Sequence, residues 1–135
     1  AAHDSTLKCG GWVVTAAPFL CQGGRPWHEP HAREAVVSQY VKPVVSAPWH
    51  LVQRNKLIAA LSKAVVVADV MCRDLSCNGV GTLYTVAFAV ELKKPVIAIR
   101  QEGPGREEAY KLVEKLGGRI VDSLEEAVEV LEPLL

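Results

Sequence analysis

The residues best placed by type and spacing to do chemistry form a short glycine loop, Asn78-Gly79-Val80-Gly81-Thr82. Gly79 and Gly81 carry no Cβ, so the backbone there can approach a ligand closely. The loop follows an apolar run and opens a helix expected over Thr82–Leu92. The first N–H groups of a helix lack intrahelical partners and sit at the positive end of its dipole. Thr82 and Thr85 add hydroxyl groups. Such a turn suits a phosphate or another anion. A plain glycine turn with Thr82 as the N-cap fits the same residues.

A second set is Arg54-Asn55-Lys56, at the start of a helix expected over Arg54–Leu61. Two cations there oppose the helix dipole, and a bound anion would offset them. Solvated surface charge is the other reading. Arg54 precedes the strand that feeds the glycine loop, which would put both sets along one sheet edge. Asp69 ends that strand, where a polar residue either faces a ligand crevice or pairs locally with Arg73. His28, His31 and His50 have proline neighbours and are read as surface residues. Trp27 and Trp49 fall in loops before helices, where aromatics stack on bases or plug a sheet edge. No serine sits in a nucleophile elbow.

Positioning these groups requires a sheet. Trp12–Ala16, Pro43–Ser46, Ala64–Ala68 and Pro95–Ile99 read as buried strands, and Arg119–Val121 as a weaker fifth. Helical patterns alternate with them. Pro30–Tyr40 starts on a proline suited to a first turn. Leu83, Val86, Ala87 and Val90 share a face of Thr82–Leu92. Pro104–Leu116 stops at Gly117-Gly118. Ser123-Leu124-Glu125-Glu126 is a capping box for the last helix. Residues 1–8 read as the end of a helix. Alternating strands and helices predict a Rossmann-like α/β domain over residues 1–135, three-layered, with a mainly parallel sheet of about five strands. Ligands in such sheets bind at the carboxyl ends of the strands.

The bulk properties set limits. The chain has 135 residues, half of them hydrophobic, which is enough for one domain with a core. Lysine plus arginine and aspartate plus glutamate are both 15, so no net charge advertises nucleic-acid binding and an anion site must be local. No run approaches the roughly 20 apolar residues of a membrane span, and the N-terminal residues do not form a secretory signal. The cysteines at 9, 21, 72 and 77 read as reduced thiols of a cytoplasmic protein. The spacing of Cys72 and Cys77 is looser than a zinc knuckle uses. No metal and no cofactor are expected.

In order along the chain, these pieces resemble the DNA-processing protein A (DprA/Smf) family of Rossmann-like nucleotide-binding proteins. Ala1-Ala2-His3 with Thr6-Leu7 and Gly10-Gly11 looks like the family's "AH…AL..GG" segment. Val44-Val45-Ser46 with Pro48 is similar to "liSE.P". Arg54-Asn55-Lys56-Leu57-Ile58-Ala59-Ala60-Leu61-Ser62 resembles the signature "RNRIIAGLS", the most specific piece. Gly81-Thr82-Leu83-Tyr84-Thr85 is similar to "SG[ST]L.TA", and Ala89 to Ile99 follows "A…g..V.AV".

The sequence departs from the pattern at several places. Val80 replaces a serine, Ala47 a glutamate, Asp69 or its neighbour a glutamate, and Ile99-Arg100 a Pro-Gly. The later "G.N.LI" segment is not recognisable at Gly105–Lys111. The family's upstream Gly-Ser-Arg turn and "SGlArGiD" loop do not appear, so the chain reads as a fragment or a divergent form with an incomplete pocket.

The resemblance implies single-stranded DNA or nucleotide binding without catalysis, recombinase loading during DNA uptake, and a homodimer. It carries Arg54, Asn55, Gly81, Thr82 and Thr85 as site residues, with Lys56, Gly79 and Asp69 beside them. Two rivals remain. The related phosphoribohydrolases carry P-G-G-x-G-T-x-x-E, near in spacing to Asn78–Thr85, but Thr85 stands at the glutamate position and cannot supply that acid or base. A small-nucleotide sensor would use the same loop.

Overall fold

A computed structural model of the chain describes residues 2–43, 47–70 and 80–134. The residues divide into two compact units, Ala1–Leu57 and Ile58–Leu135.

The first unit opens with helix α1 (Ala2–Lys8) and strand β1 (Val13–Ala16). Arg33 Nη2 donates to the Leu7 carbonyl at 2.6 Å, placing a cation on the last carbonyls of α1. A two-residue antiparallel hairpin follows, β2 (Cys21–Gln22) and β3 (Arg25–Pro26). Gly23 and Gly24 between them have φ of 60° and 76°, the doubly left-handed turn that only such residues adopt freely. Strand β4 (Glu34–Val37) then pairs parallel with β1, Val13 opposite Glu34 and Ala16 opposite Val37. This corrects the helix expected over Pro30–Tyr40. The proline signal is real, but the β-branched pair Val36-Val37 and the hydrogen bonds of β1 favour a strand. Helix α2 (Ala47–Leu61) closes the unit and continues past its boundary. The strand expected over Pro43–Ser46 falls at 44–46 outside the described residues, and Pro43 is not in a strand.

The second unit holds strand β5 (Val65–Val67), helix α3 (Val80–Glu91), strand β6 (Val96–Ile99), helix α4 (Arg106–Leu116), strand β7 (Arg119–Val121) and helix α5 (Leu124–Leu131). A 3-10 turn over Glu132–Leu134 ends it. The sheet order is β5-β6-β7, all parallel. Both faces are covered. Val65, Val67, Val96 and Ala98 pack with Val86, Ala89, Ala109, Tyr110 and Val113 of α3 and α4. Ile97 and Val121 pack on the other face with Ala127, Val130 and Leu131 of α5. That is the three-layer arrangement the alternating pattern predicts. The parallel strands among the described residues form a pair and a triplet, not one sheet of five.

The helix signals in this unit are met. Gly117 takes φ of 111° after α4, and the N–H of Gly118 returns to the Val113 carbonyl at 2.9 Å. Ser123 Oγ accepts the Glu126 N–H at 3.1 Å, and Glu126 reaches back to the Asp122 N–H at 2.8 Å.

Candidate functional site

In the second unit a cleft of about 470 Å³ opens beside β5. Val65, Val66, Val67 and Ala68 form one wall, Ile58 contributes to it, and Thr82 and Thr85 of α3 face it. Asp69 lies at the carboxyl end of β5, the end at which parallel sheets bind ligands. The structure therefore brings Asp69, Thr82 and Thr85 together.

Thr82 is not the N-cap that the sequence suggests. The helix begins at Val80, so Gly81 and Thr82 are in its first turn. Gly81 has no positive φ, consistent with a helical rather than a turn conformation. Thr85 Oγ1 donates to the Gly81 carbonyl at 3.2 Å, within the same helix. Gly79 and Asn78 lie outside the described residues, as do Cys72, Arg73 and Cys77.

Asp69 does not stand alone in the cleft. Arg106, from the start of α4, reaches both of its oxygens at 2.9 Å. The Arg106 guanidinium holds the Asp69 carboxyl below its ordinary range, mainly through these hydrogen bonds. Nearby on β6 and α4, Arg100 is held by Glu107 at 2.6 Å and Asp122 at 3.1 Å, and its guanidinium lies over the Tyr110 ring. The Tyr110 hydroxyl accepts the Gln101 N–H and donates to the Ile99 carbonyl at 3.3 Å, fixing the chain where β6 ends.

Arg54, Asn55 and Lys56 belong to the first unit. They lie mid-helix in α2, not at a helix start, so the expected conflict with the dipole does not arise. Asn55 is buried, Lys56 is exposed and Arg54 is half-buried. Arg54 Nε is enclosed without a hydrogen-bond partner among the described residues.

Two groups escaped the sequence reading. His50 is buried, not at the surface: its Nδ1 lies 3.1 Å from the Pro18 carbonyl, and Phe19 and Tyr40 meet its ring edge to face. Proline neighbours hide such placement, but position 50 is one turn of α2 before Arg54, on the same face. Glu34 is the other. Its side chain is 1 % exposed, and four groups converge on it. Hydrogen bonds from the Thr15 hydroxyl and the His31 backbone N–H hold its carboxyl far below the usual range. Thr15 and Glu34 share a face of neighbouring parallel strands, which is why they meet.

Parallel β-α-β units with helices on both sheet faces and a cleft at the strand ends define a Rossmann-like class of fold. The chain belongs to the DNA recombination-mediator protein A family, whose model matches residues 25–132. Two solved structures share its fold. The X-ray structure of DNA processing protein A from Streptococcus pneumoniae is similar with a TM-score of 0.67 and 23% identity, over 95% of this chain and 46% of that one. DNA processing protein A from Helicobacter pylori, whose structure describes a unique single-stranded DNA binding mode, gives a TM-score of 0.54 and 20% identity over 71% of this chain and 42% of that one. The chain thus spans less than half the length of either. No curated protein matches it.

Proposed function

We propose that the chain binds single-stranded DNA, or a nucleotide, through its phosphates and without catalysis. One observation carries the reading most directly: half-buried Arg54 lies within the residues 25–132 that the family model matches. A guanidinium is the side chain best shaped for a phosphate. Arg54 also opens the segment that most resembles the family's signature. Asn55 and Lys56 follow it on α2. The resemblance also carries Gly79, Gly81, Thr82 and Thr85 as candidate contacts for a phosphate, with the Asp69 charge offset by Arg106.

The Helicobacter pylori relative supports the choice of single-stranded DNA as the ligand. By the same likeness the chain would act in DNA uptake, load a recombinase and work as a homodimer in the cytoplasm. No described helix is long and apolar enough to cross a membrane. The test is binding of oligo-dT against salt: affinity falls steeply as salt rises if several phosphates are neutralised. Folded protein that shows no binding at low salt contradicts the reading.

A nucleotide sensor is the second reading, favoured by the size of the cleft, which lies within the roughly 300–1,000 Å³ of small-molecule pockets. Thermal stabilisation by mononucleotides but not by oligo-dT selects it. The phosphoribohydrolase reading has less support, since the Thr85 hydroxyl is engaged with Gly81 and is no acid or base near neutral pH.

A further inference from the structure

Three residues of the first unit bring metal-binding atoms to one point. His3 comes from α1, His28 from the segment after β3, and Glu34 from the first position of β4. The two imidazole nitrogens and a carboxylate oxygen all lie within 4.8 Å of one another. His3 Nε2 is 2.7 Å from Glu34 Oε2, and His28 Nε2 is 2.9 and 3.0 Å from the two Glu34 oxygens. The imidazole rings stand edge to face, with centroids 6.0 Å apart.

His3 is hydrogen-bonded through both ring nitrogens. Its Nδ1 faces Asp4 Oδ1 at 3.2 Å while its Nε2 faces Glu34. Both neighbours are carboxylates, which only accept, and a neutral imidazole has one N–H to give. An imidazolium donates to both carboxylates, and a neutral ring fits the same geometry when a cation sits on Nε2: Nδ1–H then donates to Asp4, and Nε2 and Glu34 become ligands. A histidine ligand whose other nitrogen donates to a carboxylate is the usual arrangement at metal sites. Glu34 is oriented in the same way, by the Thr15 hydroxyl and the His31 N–H.

We propose that His3, His28 and Glu34 form a binding site for a divalent transition cation of the Zn²⁺ type. Two imidazoles and one carboxylate suit such an ion, whereas Mg²⁺ and Ca²⁺ favour all-oxygen shells. Metal–ligand bonds of about 2.1 Å at tetrahedral angles separate donor atoms by about 3.4 Å. The present N···O separations of 2.7 to 3.0 Å need to widen by about 0.4 to 0.7 Å. The histidine side chains are 38% and 36% exposed, so the rings have room to shift and solvent reaches the site. Three protein ligands leave a fourth position for water.

The need for such a link is visible in the unit itself. Its buried described residues are Ala17, Pro18, His50 and Asn55, a thin and partly polar core. Small units with thin cores are commonly held by a metal or a disulfide. A cation here would join α1, the segment before β4 and the β1–β4 pair.

The test uses the 135-residue chain, freed of metal by chelator and titrated with Zn²⁺ alone, with Co²⁺ as a spectroscopic probe. One equivalent of Zn²⁺ is expected to bind and raise the melting temperature, while Mg²⁺ does neither. Co²⁺ should give visible ligand-field bands without a sulfur-to-metal charge-transfer band, and a variant with Cys9, Cys21, Cys72 and Cys77 all changed to serine should behave like the parent. His28→Asn changes a half-exposed ring and should abolish stoichiometric binding in a folded protein. Asp4→Asn should weaken Zn²⁺ about tenfold or more, as losing the partner of a ligand histidine does. Glu34→Gln alters a buried group and is read alongside His28→Asn. Absence of stoichiometric Zn²⁺ binding by the parent overturns the proposal. So does binding that survives His28→Asn, or that is lost with the four cysteines.

Discussion

Arg106 Nε and Nη2 each lie 2.9 Å from an oxygen of Asp69, across 37 residues of chain. This fork joins the carboxyl end of β5 to the first turn of α4. It also neutralises a carboxylate that lines the cleft, where an anion would otherwise be repelled.

The pairing makes acid stability testable. Asp69 is held below its ordinary value of 3.8 by Arg106. Its contribution is therefore present above that value and is lost as pH falls through the lower folded-state value. With Asp69 half-exposed and Arg106 mostly covered, the coupling should be about 1 kcal/mol. Urea melts should separate the parent from Asp69→Asn at about pH 7, with the difference shrinking as pH falls below 3.8. A gap that persists in acid contradicts this.

The same pair bears on the ligand. Arg106→Ala leaves the Asp69 carboxylate unbalanced in the cleft, so oligo-dT affinity should fall, and Asp69→Asn added to it should restore part of the loss. Fluorescence anisotropy at fixed salt reads both. If the second change weakens binding further, Asp69 does not act as a balanced charge there.

The last helix depends on its cap. Ser123 Oγ accepts the Glu126 N–H, and Ser123→Ala should cost about 1 kcal/mol in a chemical melt. Ser123→Gly should cost only a few tenths. Equal losses would mean that the side-chain oxygen is not the stabilising group.

Tyr110 offers a sharper probe of the strand ends. Its ring is buried at 2 % exposure and its hydroxyl accepts the Gln101 N–H. Tyr110→Phe keeps the packing but removes the acceptor, which should cost about 1–2 kcal/mol. No loss of stability would show that water replaces the hydroxyl.

The sequence spoke clearly where neighbouring residues decide the outcome. Val96-Ile97-Ala98-Ile99 is a strand covered on both faces, and its run of apolar residues records that, while Val66 of Val65-Val66-Val67 faces the cleft. Ser123 and Gly117 mark helix ends because capping is local. Glu34 shows the opposite case. Proline at position 30 suggested a helix, but pairing with β1, some twenty residues upstream, decided for a strand. Asp69 was placed at a strand end correctly, but its fork with Arg106, 37 positions on, was not foreseen. His3 and Glu34 are 31 positions apart, so no spacing rule could join them. Arg54 stood out through its signature segment, though its place mid-helix did not.

The central claim is that Arg54 takes a phosphate. Oligo-dT binding by the parent and by Arg54→Ala, each measured over a range of salt, tests it most directly. The claim predicts weaker binding by Arg54→Ala at every salt concentration, with the slope of log affinity against log salt shallower by about 0.7, one single-strand phosphate contact. An Arg54→Ala protein that is folded and binds with the parent's affinity and slope would contradict it.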